Sequence, residues 1–206
     1  MKIALIGATG FVGSGLLAEA LERGHDVTAI VLDPKNLPSH ANLSTAGADV
    51  TDQDELASAI AGHDAVVSAY NPGRDQDGEG VASIIAAVKQ AGGRLVTVGG
   101  AGTLEVAPGQ RLVDQPDFPA EWKDGSLKTA AFLDRLRGET ELDWTFVCPA
   151  AFLAPGERTG RYRVGGDQLM TEPDGQSRIS IPDYAVALLD EVESAAHPRQ
   201  RISVAY

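Results

Sequence analysis

One cysteine, Cys148, excludes an intrachain disulfide and a thiol-rich metal cluster. It follows the apolar run Trp144-Thr145-Phe146-Val147, which makes it a small core residue of a buried strand with no chemistry of its own. Histidines are few as well. His25, His40, His63 and His197 are scattered without zinc-ligand spacing, so no metal site is expected. Basic residues are outnumbered, 17 Lys and Arg against 29 Asp and Glu for a net charge of −12, which opposes attraction to nucleic acid or to anionic membrane surfaces. No apolar run approaches the length of a membrane span, and Met1-Lys2 lead straight into a short strand pattern rather than a secretory signal. These absences point to a cytoplasmic protein with no nucleic-acid or membrane partner, a monomer or homodimer acting on a small molecule. The length, 206 residues, suits a single domain spanning 1–206 with a sizeable core.

What the chain does have is a glycine turn close to its start. The apolar run Ile3 to Ile6 breaks into Gly7-Ala8-Thr9-Gly10-Phe11-Val12-Gly13, and Leu16, Leu17, Ala20 and Leu21 then follow at helical spacing. Strand, glycine turn and helix in that order let the backbone approach a pyrophosphate while the positive end of the helix faces the anion. Gly7 through Gly13 are therefore the first cofactor-binding candidates. Asp33 stands 20 positions beyond Gly13, just past a second β-rich run. Its carboxylate either accepts from the adenosine ribose 2′-hydroxyl, favouring NADH slightly over NADPH, or simply caps the turn at Asp33-Pro34.

Further along, β-branched runs alternate with helical patterns: strands near 2–6, 27–31, 44–50, 65–68, 94–98 and 144–147, and helices over 12–23, 54–61, 79–91, 127–137 and 182–192. Such alternation predicts a Rossmann-type, doubly wound parallel sheet with helices on both faces, an α/β fold. Ser180, Pro182 and Asp183 suit the start of the last helix as cap, first-turn proline and dipole partner. Residues from about 150 to 206 are expected to form a small strand-and-helix cap on the substrate side. Two segments exceed an economical connection, 70–78 and 99–122. The second carries Leu104, Val106, Leu112, Val113 and Phe118, too apolar for a solvated linker, and is expected to fold over the sheet edge.

The glycine spacing resembles that of the short-chain dehydrogenase/reductase superfamily. Gly99 to Val106, Asp117-Phe118-Pro119, Leu142 to Phe146, Pro155 to Gly160 and 179–191 extend the likeness over nearly the whole chain, to the bacterial NADH-flavin reductase group of atypical short-chain reductases, related to biliverdin reductase B, many of whose activities are inferred only. The resemblance implies NAD(P)H as cofactor. It places Leu32 where many relatives carry an arginine for the NADP 2′-phosphate, a cation that Lys35 partly replaces. Asp49 and Val50 correspond to an adenine-contact segment. The nicotinamide falls between Gly99-Gly100, Pro149-Ala150-Ala151 and the Ala69-Tyr70-Asn71 loop.

The superfamily's Tyr-x-x-x-Lys pair is broken here. Lys128 stands near the lysine position, but the residue four earlier is Asp124, and Thr103 is the first hydroxyl after the fifth strand. Lys128 and Thr103 are weak catalytic candidates, with a helix-surface residue and a loop residue as the bland alternatives. The gap favours chemistry that needs little protein acid/base help: hydride transfer to a stacked flavin such as FMN or FAD, or to a quinone. Phe118, Phe152 and Tyr70 are candidates to face that acceptor, and Arg158, beside Glu157, to meet a flavin phosphate or to form a surface salt bridge. A non-enzymatic cofactor sensor of the NmrA-like type is the alternative, and a nucleotide-sugar-type epimerase ranks below both.

Overall fold

Alternation along β1 (Lys2–Ile6) builds two cores at once: Ile3 and Leu5 face one layer, Ala4 and Ile6 the other. The computed structural model describes residues 1–206, the side chain of Asn36 excepted. After β1 come α1 (Gly13–Glu22), β2 (Asp26–Ile30), β3 (Leu43–Ala46), α2 (Gln53–Ile60), β4 (Ala65–Ser68), α3 (Glu79–Ala91) and β5 (Arg94–Val98). A hairpin of β6 (Glu105–Ala107) and β7 (Gln110–Arg111) precedes α4 (Ala120–Arg137) and β8 (Asp143–Pro149). The chain ends with β9 (Phe152–Ala154), β10 (Arg163–Gly165), β11 (Arg178–Ser180), α5 (Ile181–Ser194) and β12 (Gln200–Ala205).

The main sheet runs β10-β12-β8-β5-β4-β1-β2-β3, parallel throughout except for β10 against β12. Helices α1 and α5 cover one face, where Leu16, Leu17, Leu188 and Leu189 pack over Ile3, Val27 and Val96. Helices α2, α3 and α4 cover the other, with Leu56, Ile84, Val88 and Phe132 over Ala4, Val66 and Phe146. Phe132 meets Phe146 edge to face at 5.9 Å between ring centroids, a favourable aromatic arrangement. The Rossmann-type doubly wound fold expected from the alternation is the one observed. Caps follow local chemistry: the Asp52 carboxylate accepts from Glu55 N at 3.0 Å, and the Ser180 hydroxyl from Asp183 N at 3.1 Å.

Several boundaries move. The strand expected over 44–50 stops at Ala46, because Asp49 Oδ1 accepts from Thr51 N and its hydroxyl, a turn that takes the chain out of the ladder. Helix α4 begins at Ala120 rather than Leu127; Lys123, Asp124 and Gly125 interrupt the apolar period without interrupting the helix. The 99–122 segment folds into two 3₁₀ turns and the β6–β7 hairpin. Residues 150–206 do more than cap: β12 pairs in parallel with β8 inside the main sheet, and α5 packs along α1, leaving β9, β10 and β11 as the peripheral part.

Candidate active site

The strand order reverses between β1 and β4, with β2 and β3 to one side and β5, β8 and β12 to the other. Open α/β sheets bind ligands in the crevice at the carboxyl ends of such strands. Here that crevice is formed by glycine. Gly7 has φ +78°, a conformation other residues adopt at a cost, and a Cβ on it would lie 3.0 Å from the Ala69 carbonyl oxygen at the end of β4. A Cβ on Gly13 would lie 2.0 Å from the Gly7 carbonyl oxygen, inside any allowed contact. Gly10 N donates to Gly7 O at 3.0 Å and closes the turn. The result is a side-chain-free cradle at the N-terminus of α1, whose first N–H groups have no partner within the helix and whose dipole favours an anion. The dinucleotide pyrophosphate fits this cradle.

Two depressions lie on the same carboxyl edge of the sheet, the first of them sharing Gly7 and Thr9 with the cradle. The first, about 340 Å³, lies between β1 and β2 and is lined by Thr9, Val31, Leu32, Asp33, Val50 and Tyr70. It brings together Leu32, Asp33 and Val50 of the candidates expected at the adenosine end, and leaves out Asp49. Asp33 is occupied at this site: its carboxylate accepts from Lys35 N at 3.1 Å and from Lys35 Nζ at 3.1 Å, so the capping role and the proximity of Lys35 are both present. Asp49 faces solvent and spends its carboxylate on Thr51. Asn71 caps the turn over Pro72–Arg74 by accepting from Gly73 N at 2.9 Å.

The second depression, about 750 Å³, is bounded by Gly100 at the end of β5, Pro149 and Ala150 at the end of β8, and Phe118, Trp122 and Phe152. Trp122 and Phe152 are 57% and 61% exposed and lie in the lining of this cavity. Its floor is held from behind by Arg201, which is buried, donates to the Thr103 carbonyl and pairs with Asp167 at 2.9 Å. Gly99 owes its lack of a side chain to packing beneath it, since a Cβ would lie 2.5 Å from the Phe146 ring.

Of four further candidates, Arg158, Lys128 and Tyr70 lie outside the second cavity and Thr103 lines it. Arg158 does not reach the cavity; its guanidinium is bonded to Glu19 of α1 at 2.7 and 2.9 Å, the salt-bridge alternative. Lys128 faces the 72–78 turn and pairs with Asp124 at 3.1 Å, while the cavity is lined by Trp122, Ser126 and Thr129 from another face of α4. Thr103 is in the cavity wall but buried, its hydroxyl donating to Gly100 O at 2.8 Å. Tyr70 does not line the second cavity: it lines the first depression, with its hydroxyl where a Gly80 side chain would otherwise stand, 2.4 Å from a Cβ there. Burial and the neighbouring Asp75 push its phenol up to about 12, so it is neutral at any working pH. Cys148 is fully buried, and desolvation raises its thiol to about 11.

Trp122, Ser126, Thr129, Gln176 and Ser177 line the second cavity without having been singled out in the sequence. The signal for the α4 residues was the spacing of four and three from Trp122 to Ser126 to Thr129, legible only once the helix is known to start at Ala120. Among the described residues no group of three or more His, Cys, Asp or Glu could hold a metal ion, and no helix is long and apolar enough to cross a membrane.

The NAD(P)H-binding family matches residues 7–192. The uncharacterized protein YwnB of Bacillus subtilis is 39% identical over 99% of this chain and 98% of its own length. A Bacteroides thetaiotaomicron crystal structure, of a protein provisionally named an epimerase, is 46% identical with a TM-score of 0.95, covering 100% of this chain and 96% of that one. One from Streptococcus pneumoniae, provisionally named an NADH-flavin reductase, is 36% identical with a TM-score of 0.88, covering 100% and 99%.

Proposed function

This chain belongs to the NAD(P)H-binding family, and from that premise we propose that it is a reductase passing hydride from NAD(P)H to a planar acceptor, a flavin or a quinone. The observation that carries the reading is an aromatic-lined cavity at the carboxyl ends of β5 and β8, on the same edge of the parallel sheet as the glycine cradle after β1, with Gly100, Pro149 and Ala150 in its lining. Bound NAD(P)H supplies one hydride, and the acceptor takes that hydride plus one proton from water while the cofactor is left oxidised. The protein's own part is positional. The Gly7–Gly13 turn and the start of α1 would hold the pyrophosphate, and Leu32, Asp33 and Val50 would border the adenosine end. Ala69, Tyr70 and Asn71 follow β4, the strand between β1 and β5. Phe118, Trp122 and Phe152 would offer a planar acceptor apolar ring surface.

No tyrosine, lysine or histidine lines the second cavity among the described residues, which suits an acceptor whose proton comes from solvent better than a ketone that needs a placed donor. Asp33 favours NADH over NADPH, with the Asp33–Lys35 pair moderating the preference. The reading carries with it a cytoplasmic location, where reduced nicotinamide is regenerated. Titration with NADH and NADPH followed by turnover with riboflavin, FMN, FAD and menadione tests it. Turnover with at least one acceptor is expected; tight cofactor binding with no oxidation by any of them would replace it with the sensor alternative.

A further inference from the structure

Charge around the second cavity discriminates among planar acceptors. Of its lining residues only Asp117 is charged, and it is acidic. Arginines near its walls are held by other groups: Arg111 by Asp114 at 2.7 Å, Arg178 by Asp174 at 2.6 Å and by Glu172, Arg201 by Asp167 at 2.9 Å, and Arg163, which has no carboxylate partner, by the carbonyls of Thr171 and Tyr206 at 2.9 Å each. Arg158, the cation the sequence offered for a flavin phosphate, is bound to Glu19 on α1. Lys123 is exposed beside Trp122 and is not among the lining side chains. A net charge of −12 adds a repulsive field. The groups that do face the cavity are aromatic rings and small hydroxyl side chains, which bind a ring and offer a phosphate no counter-charge.

We propose that this cavity selects uncharged planar acceptors, riboflavin or a quinone, over phosphorylated flavins such as FMN and FAD. The proposal rests on the reading of the cavity as the acceptor site. Riboflavin and FMN share one ring system and differ by a phosphate, so their comparison isolates charge. With the protein saturated by the oxidised cofactor it binds, so that no turnover occurs, quenching of flavin fluorescence is expected to give riboflavin an affinity at least about tenfold above that of FMN at low salt, as like-charge juxtaposition dictates. Added salt narrows the gap through screening, and so does Asp117→Asn.

FMN binding as tightly as riboflavin or more so overturns the proposal, and loss of that FMN affinity in Lys123→Gln would identify a rim lysine as the reason. A riboflavin–FMN gap unmoved by Asp117→Asn overturns the assignment to this cavity, and so does a failure of both flavins to bind. The reductase reading fails separately: riboflavin bound more tightly than FMN, with no NAD(P)H oxidation by riboflavin, FMN or menadione, leaves the charge preference standing and removes the catalysis.

Discussion

The Gly7 carbonyl oxygen occupies the space a Gly13 side chain would need, at 2.0 Å from a Cβ there, whereas a Cβ on Gly10 would stand 3.3 Å from the same oxygen. The two glycines therefore fail differently. Gly13→Ala forces the turn apart and costs about 1–3 kcal/mol of stability or more, as overpacking against a rigid neighbour does. Gly10→Ala needs a shift of only a few tenths of an ångström. It is expected to keep the melting temperature near that of the parent while weakening NAD(P)H binding, because the added methyl intrudes where the pyrophosphate approaches. Thermal melts without cofactor and fluorescence titration with it separate the two outcomes.

Lys128→Ala is expected to leave kcat unchanged, since the side chain pairs with Asp124 outside the cavity. Removing a true general acid would instead lower the rate by roughly 100- to 10,000-fold. Arg158→Ala is likewise expected to spare the acceptor's KM but to lower the melting temperature. It strips one of two guanidinium partners from Glu19, a carboxylate only 4% exposed. Steady-state kinetics with a matched melt decide both; a tenfold rise in acceptor KM for Arg158→Ala, about 1.4 kcal/mol, would return that arginine to the site.

Glu191 supplies a pH signature. Burial alone pushes its carboxyl up, but hydrogen bonds from His197 and Arg94 outweigh burial and hold it below the usual glutamate value of 4.5. Its charged form is favoured more in the fold than in the unfolded chain. Its stabilisation is thus complete above the unfolded value and lost as pH falls through the lower folded one. Glu191→Ala, which takes the closer of two carboxylates from Arg94 and leaves it Asp143 at 3.4 Å, is expected to cost about 1–3 kcal/mol at neutral pH. Melting curves at neutral pH and below pH 4.5 should show the difference between parent and variant shrinking on acidification.

Cys148 is expected to resist alkylation at pH 8. Desolvation raises its thiol to about 11, and no solvent path reaches a side chain with 0% exposure. Iodoacetamide labelling should be negligible in the folded protein and rapid in denaturant. Comparable rates in the two states would mean that β8 opens readily.

Where local patterning carried the information, residues and structure agree closely. The Lys2–Ile6, Ala65–Ser68 and Arg94–Val98 strands and the Glu79–Ala91 helix lie where their periodicities place them, because each is bounded by glycine, proline or a cap within a few residues. The early start of α4 was hidden because its first turns present Trp122, Ser126 and Thr129 to a cavity and not to a core, so no apolar stripe marks them. β12 is a short run with an arginine in its midst. Arg201 is buried only because Asp167 and the Thr103 carbonyl arrive from distant segments to neutralise it.

Order along the chain was enough for the glycine cradle, the winding of the parallel sheet and the inertness of Cys148, since each depends on neighbours within a turn or on the period of apolar side chains. Which charged groups line the second cavity was settled only in three dimensions. Arg158 and Lys128 could not be separated from site residues by spacing; the carboxylates of Glu19 and Asp124, and the face of α4 that each loop covers, took them out of the cavity. An ion pair's partner is chosen by distance in space, and distance in space is a property of the packed fold.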